Sequence, residues 1–494
     1  GFAAATTSIT LDGDITANNI SAVAESAATS SLYEDPELMT DMFLAGKYAG
    51  IAAYVMQADA RSSVTVGGAA NLQATGDIAL NSASRALTES GAKSINAAKV
   101  GFGVVYNSSN ATATSSINTG ATLNASGTLS VTAHNEAKIA ASAFTLVTTG
   151  DNDAVAALAI GESDVDAQAI IESGANLTAG NVVLSAENQN HYSVAASATS
   201  LDKAKYGIAV AIGDFNTDAL ASLGASVGTS ADKTGNVTIT AIDRTVHQQV
   251  KSSVTVGAGA VARAVKSKIS TKAANQAAIQ DMTGQEFDSQ APEGADAPKD
   301  STGKISFKGG LAFTLNLSEH DAYAYLGNNL AGQNVAPEIQ ATGNVVVASA
   351  IDVGTDDATI AGGNDNAAHG ADEGAWRTSA EAEVNGADDS AVSEKSVAAA
   401  LSFAVNTGTA IAEIGDYVNI NAANVGVLAQ QKMPIVSSYD TWDSFGSVIS
   451  KLNGMAGLQN NILTSFVKAS ASADKDAYGG ALNVVWNDLD TKAW

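Results

Sequence analysis

The stretch that decides the fold is GNVTITAID, from Gly235 to Asp243, because close copies of it recur along the chain. The copies are GDIALNSAS from Gly76, GTLSVTAHN from Gly127, GNVVLSAEN from Gly180 and GNVVVASAID from Gly343. Successive copies begin 51, 53, 55 and 108 residues apart, the last interval being about two periods. A fixed period of this length indicates a repeat architecture.

Each copy alternates apolar and polar residues with the period of a β-strand. In the Gly235 copy, Val237 and Ile239 would face one way while Thr238 and Thr240 face the other. A second phrase, such as AVAIGDFNTDALASL from Ala209, accompanies each copy and is typical of two strands joined by a polar turn. Equivalent positions carry equivalent side chains, which predicts a parallel stack of the copies.

The repeat of about 52 residues fits two coils of roughly 20 to 25 residues each. Each strand would pair with its copies above and below at about 4.8 Å, and glycines at the phrase boundaries would form the corners. The sequence therefore predicts an all-β fold, a right-handed parallel β-solenoid with inserted α-helical and acidic loop segments.

The domain organisation follows from where the repeat is interrupted. Residues 1–430 form the predicted solenoid, with inserts at 32–50, 280–303 and 352–390. A helical insertion is predicted at 431–476, and 477–494 would start a further coil, so we expect the chain to be a fragment of a longer protein.

The stretch from Thr441 to Ser470 has apolar residues at helical spacing and predicts an amphipathic helix or helical hairpin. Its apolar face makes a candidate interaction surface, formed by Trp442, Phe445, Ile449 and Leu452. Packing on the solenoid flank is the favoured interpretation, and a partner or a membrane surface is the alternative.

Composition excludes several classes of partner and site. The chain has 51 acidic and 25 basic residues, a formal net charge of -26, which would repel nucleic acid and anionic membranes. It has no cysteine, which removes disulfides, thiol nucleophiles and cysteine-based zinc sites. No apolar run reaches the roughly 18 residues that a membrane helix needs, so direct membrane insertion of this segment is not expected.

The units GFGVVYNSSNATATSSINTGATLNASGTLSVTAHN and GIAVAIGDFNTDALASLGASV with GNVTITAID resemble repeats of very large bacterial exoproteins, the filamentous-haemagglutinin-like and leukotoxin-type filamentous adhesins. The resemblance covers about residues 50 to 430, with gaps at the inserts. It implies secretion to the extracellular space or the bacterial cell surface, and a long rod used for adhesion. The helical and acidic inserts depart from the plain repeat and leave the exact family open.

Parallel β-helices also host polysaccharide lyases and hydrolases, which need clustered carboxylates and a basic residue. Asp243, Arg244 and His247 could form a charged groove of that kind, although a solvated strand face is the favoured interpretation.

Acidic clusters raise a weak possibility of calcium binding. They are Asp151, Asp153, Asp164 and Asp166 in one stretch, and Asp365, Asp372 and Glu373 in another. Neither stretch has the spacing of a calcium loop, so solvated turns are favoured and no cofactor is expected.

We expect a segment of a giant secreted or cell-surface adhesin rather than an enzyme. Its partner would be another cell surface, a glycan or protein receptor, or copies of itself. Two alternatives remain open, a carbohydrate-active β-helix enzyme and a self-assembling structural filament or spacer.

Overall fold

The described part of the chain consists mostly of β-strands, the longest of which has 26 residues. A computed structural model describes residues 1–32, 50–96, 100–147, 154–200, 205–257, 306–327, 336–353, 376–385, 394–432, 435–439, 463–473 and 476–494. These ranges contain strands and no helix, and hence no helix long and apolar enough to cross a membrane. The all-β prediction is confirmed.

The strands are β1 (Phe2–Leu11), β2 (Asp14–Ala17), β3 (Ile20–Ser31), β4 (Gly50–Val66), β5 (Asn71–Ala74), β6 (Ile78–Asn96), β7 (Val100–Ile117), β8 (Thr122–Val147), β9 (Ala154–Ile171), β10 (Asn176–Ser200), β11 (Tyr206–Leu223), β12 (Ser226–Val227), β13 (Val237–Val256), β14 (Ser306–Leu326), β15 (Glu338–Gln340), β16 (Asn344–Val353), β17 (Trp376–Asn385), β18 (Glu394–Ile414), β19 (Asn419–Asn421), β20 (Asn424–Lys432), β21 (Ile435–Tyr439), β22 (Leu463–Ser472) and β23 (Asp476–Ala493).

Two parallel sheets contain all of these strands. Sheet A has eight strands in the order β1, β4, β7, β9, β11, β14, β18 and β23, and sheet B contains the other fifteen. Each sheet A strand except the last, β23, is followed in the chain by one or more sheet B strands, and together they form one rung. Each strand pairs in parallel with an equivalent strand of a neighbouring rung, except β21, which pairs in parallel with β22 of its own rung.

The phrase copies stack in register, as the sequence predicts. Val237 pairs with Val182 on one side and with Val345 on the other, and Val182 pairs in turn with Leu129. These four side chains are buried, and Thr238 is partly exposed. The inward and outward assignments are therefore confirmed.

The prediction of two coils in each repeat is wrong. Val105 pairs with Ala159, which pairs with Ala211, so neighbouring rungs lie 54 and 52 residues apart. One repeat therefore contributes one strand stretch to each sheet. A repeat of about 52 residues fits in one rung because its strands are long; β8, for example, has 26 residues. The polar turn predicted in AVAIGDFNTDALASL does not form, and this phrase lies within one continuous strand, β11.

Glycines act at two kinds of position. Gly120 and Gly174 have positive φ, 91° and 81°, at the turns from sheet A to sheet B, as expected for corners. The glycines that begin the phrases instead stack on one another inside sheet B, where a Cβ on Gly180 would lie 2.7 Å from the Gly127 carbonyl oxygen. Close backbone approach explains why these positions are glycine. Gly127 and Gly180 lie within strands rather than at corners, whereas Gly76, Gly235 and Gly343 lie at bends between strands, as predicted.

The residue that follows these glycines forms a ladder of hydrogen bonds from one rung to the next. Asn181 Oδ1 accepts a hydrogen bond from the backbone N–H of Asn236 at 2.9 Å, and Asn236 Oδ1 accepts one from the N–H of Asn344 at 2.9 Å. Asp77 Oδ1 accepts in the same way from the N–H of Thr128 at 2.7 Å. This contact accounts for the recurrence of Gly-Asn and Gly-Asp.

Two predicted inserts contain strands. Within the acidic insert predicted at 352–390, β17 pairs with β13, and within the helical insertion predicted at 431–476, β21 and β22 are strands. The helix prediction is wrong for Leu463–Ser470, because β17 offers a parallel edge and Val467 is buried while Lys468 is exposed, a period of two.

Other predicted boundaries have different outcomes. The predicted inserts at 32–50 and 280–303 lie outside the described residues, apart from the two end residues of the first. The stretch 477–494 lies in β23 up to Ala493, and β23 pairs with β18 as a further coil would.

Candidate functional site

The predicted interaction surface of Trp442, Phe445, Ile449 and Leu452 lies outside the described residues, so its role stays a prediction. The acidic residues Asp151, Asp153, Asp365, Asp372 and Glu373 also lie outside them.

Asp243 and Arg244 point to opposite faces of β13, because neighbouring residues in a strand alternate. Asp243 is fully buried between the sheets, whereas Arg244 faces outward with its Nη1 3.7 Å from Glu187 Oε1. His247 is 4% exposed, and its ring stacks on His191 with 4.7 Å between centroids. The three residues form neither the charged groove nor the solvated face that the sequence predicts.

Asp243 is the centre of a buried hydrogen-bonded group, the Asp243 cluster, with Thr217, His320 and Asn190. Its Oδ2 accepts from Thr217 Oγ1 at 2.7 Å and lies 2.7 Å from His320 Nδ1, and its Oδ1 accepts from Asn190 Nδ2 at 3.1 Å. No member is more than 1% exposed. An ionised carboxylate only accepts hydrogen bonds, so it requires the proton on His320 Nδ1.

The geometry of the Asp243 cluster differs from that of a nucleophile–histidine–aspartate relay. Such a relay has the carboxylate at one imidazole nitrogen and the hydroxyl at the other, and it faces a substrate. Here Thr217 Oγ1 lies 2.9 Å from the same Nδ1 that contacts Asp243, and the buried His320 Nε2 has no hydrogen-bond partner among the described residues. The cluster therefore links β11 and β14 of sheet A to β10 and β13 of sheet B and offers no reactive group to solvent.

Asp243 ends a row of polar side chains that stack inside the molecule, the buried polar column. It contains Ser26, Ser84, Asn135, Asn188 and Asp243, which pair in register from β3 to β13. Ser26 Oγ lies 3.1 Å from Ser84 Oγ, and Asn135 Nδ2 donates to Asn188 Oδ1 at 3.1 Å. The column divides the apolar interior into two clusters. In β10, Leu184 belongs to the cluster on one side of the column and Val194 to the cluster on the other side.

Carboxylates form a second feature, on the outer face of sheet A. They belong to two neighbouring rows, the acidic columns, one containing Asp164 and Glu319 and the other Asp166, Asp218 and Asp321. Each member of the second row pairs with the next in register.

Burial and the charge of neighbouring carboxylates raise the pKa of two of these residues, Asp166 and Asp218. Burial raises the pKa of Asp166 to about 6, with a smaller contribution from the charge of Asp164. Burial raises the pKa of Asp218 to about 7, and the charges of Asp321 and Asp166 add to the effect. Within the described ranges, no group of three or more histidine, aspartate or glutamate side chains is arranged to hold a metal ion.

Apolar side chains form a third feature, beside the acidic columns on the same outer face. Two neighbouring rows, the apolar columns, run across the sheet from β4 to β23. The first is Ala53, Val104, Leu158, Val210, Phe313, Leu401 and Leu482, and the second is Val55, Tyr106, Ile160, Ile212, Leu315, Phe403 and Val484. Every one of these side chains is partly or well exposed. The apolar columns cannot be recognised from the sequence, because these strand segments carry apolar residues on both faces and so lack a polar outer face.

Comparison with known proteins gives no relative: no family model, no curated protein and no solved structure matches the chain.

Proposed function

We propose that the chain is a segment of a giant secreted or cell-surface adhesin whose repeats form a right-handed parallel β-solenoid. The observation that supports this most is the in-register parallel pairing of eight successive sheet A strands, the first seven of which are each followed in the chain by sheet B strands. A stack of this kind adds about 4.8 Å of length for each rung and buries a continuous core, which makes a stiff rod.

Recognition in such a rod would depend on segments that interrupt the repeat. The predicted surface around Trp442 and Phe445 lies between β21 and β22 and is the segment we assign to contact with a glycan or protein receptor on another cell. The net charge of -26 disfavours nucleic acid and anionic lipid as partners.

Binding to cells and imaging test this proposal together. Electron microscopy of the purified chain should show short rods of uniform width, and beads coated with the chain should bind cells or immobilised glycans. A chain lacking residues 440–462 should keep the rod and lose the binding. Globular particles, or full binding after the deletion, would contradict the proposal.

The acidic columns favour a second candidate, a carbohydrate-active enzyme. Glycoside hydrolysis uses two carboxyls, one of which is protonated near neutral pH, and Asp218 with a pKa of about 7 beside Asp166 meets that electrostatic requirement. Release of reducing ends from neutral and acidic polysaccharides tests it. Activity that Asp218→Asn abolishes would favour the enzyme, and no release from any of the polysaccharides would dismiss it.

A further inference from the structure

The apolar columns form a surface that the described part of the chain does not cover. Val55 is 49% exposed and Val484 is 41% exposed, at the two ends of the second column. A third outward row beside them adds Ile51, Phe102, Ile208 and Leu311. The inner face of the same strands is already filled by residues such as Ala159 and Ala211, so the outer apolar residues are not needed for the core between the sheets.

The surface has the area of a specific protein interface. Seven strands at about 4.8 Å and three rows at about 7 Å give on the order of 600 Å² on one copy. Two such faces bury roughly 1,200 Å² in total, which is the lower end of the range for stable complexes. Flat apolar sheet faces pack on one another at about 10 Å, and two copies of one face share the same strand spacing.

The distribution of charge favours a second copy in one orientation. Along β9, the apolar residues Leu158 and Ile160 come first, and Glu162, Asp164 and Asp166 follow on the same face. If the strands of two copies run in opposite directions, the apolar halves overlap and the acidic halves extend past each other at opposite ends. If the two faces overlapped completely, the acidic columns of each copy would lie against the apolar columns of the other. The carboxylates would then lose their hydration without gaining a polar partner, which is unfavourable.

Other occupants fit less well. An anionic lipid surface would be repelled by the acidic columns beside the apolar rows. Glycans bind flat faces through aromatic rings, whereas these columns are mostly Val, Leu and Ile. We propose that the outer face of sheet A is an isologous, two-fold interface between two copies of this chain, with the apolar columns at its centre. This inference does not rest on the proposed adhesin function.

Sedimentation velocity across protein concentrations of about 1 to 100 µM tests the interface. We expect a monomer–dimer equilibrium for the unchanged chain. The double variant Ile212→Thr with Leu315→Thr should weaken dimerisation at least tenfold, because it removes apolar area from the centre of the face. The matched control, Val183→Thr with Val346→Thr, changes partly exposed residues on the outer face of sheet B and should leave the equilibrium unchanged.

Crosslinking gives an independent readout, because the chain has no cysteine. A single Ile212→Cys variant should form a covalent dimer with a bismaleimide of about 10 Å span, and Val183→Cys should not. Circular dichroism identifies any variant that fails to fold. A monomer at every concentration, equal weakening by the two double variants, or equal crosslinking at both cysteine positions would overturn the proposal.

Discussion

Asp243 Oδ2 lies 2.7 Å from His320 Nδ1, and the two residues are fully buried, 77 positions apart in the chain and in different sheets. The pair joins the sheets at the level where the apolar interior is interrupted by polar side chains. An isolated buried charge costs much more than a paired one, so each residue depends on the other.

Asp243→Ala should therefore destabilise the fold strongly. His320, Thr217 and Asn190 would lose their shared acceptor inside the protein, and we expect the free energy of unfolding to fall by about 3–5 kcal/mol. Urea unfolding followed by circular dichroism measures this.

A double variant measures the coupling between Asp243 and His320. Asp243→Leu with His320→Leu removes both polar groups and should cost less than the sum of the two single leucine variants, because no partner charge is left behind. Additive losses would show that the two residues do not depend on each other.

The acidic columns predict an unusual response to pH. Asp166 and Asp218 have a pKa above the ordinary value near 3.8, so the folded protein binds protons more tightly than the unfolded chain. Their contribution to the free energy of unfolding therefore falls as the pH rises from about 4 to about 7 and levels off above that.

Asp218→Asn should remove part of this repulsion. At pH 8 we expect the variant to be more stable than the unchanged chain by on the order of 1 kcal/mol, after discounting for partial exposure, and this gain should shrink at pH 5. Thermal unfolding at both values checks it, with the exposed Asp232→Asn as the control. A gain that is equal at pH 5 and pH 8 would contradict the assignment.

Gly213 is predicted to tolerate no side chain. An added Cβ would lie 2.6 Å from Phe215 Cε2 and 2.7 Å from Val250 Cγ2, beside the stacked rings of Tyr192 and Phe215. Gly213→Ala should lower the free energy of unfolding by about 1–3 kcal/mol through overpacking.

Gly426→Ala is the matched control for Gly213→Ala, because nothing lies within 4 Å of a Cβ at that position and the residue is also in a strand. Equal effects of the two variants in denaturant unfolding would contradict the packing around Gly213.

The asparagine ladder can be tested at its central residue. Asn236 Oδ1 accepts from the N–H of Asn344, so Asn236→Ala should cost about 0.5–1.5 kcal/mol. Asn236→Asp keeps that acceptor and should restore most of the stability. The outcome that would count against the ladder is an aspartate variant as unstable as the alanine variant in urea.

The repeats allowed the register of the stack to be predicted, because alternation fixes which residues of Gly127, Gly180 and Gly235 copies face inward. The number of coils in each repeat could not be predicted, since one long strand and two short ones have the same period. Thr217 and Asp218 have the composition of a turn, but both lie in β11, where Thr217 points inward and donates to the buried Asp243.

Only part of the Asp243 cluster could be predicted from the sequence. Ser84, Asn135, Asn188 and Asp243 are each the ninth residue of a phrase, and that recurrence is the signal that could have identified the buried polar column. His320 has no such signal, because its partner lies 77 positions away and depends on how the two sheets face each other.

Spin labels on Thr6→Cys and Thr409→Cys measure directly whether each repeat forms one rung. These two positions lie in one outward row of sheet A, six strand spacings apart through residues 61, 112, 166, 218 and 321. With one rung for each repeat, we expect about 29 Å between the labelled backbone positions. Two coils in each repeat would place them about 58 Å apart, and a distance near that value would rule out one rung for each repeat.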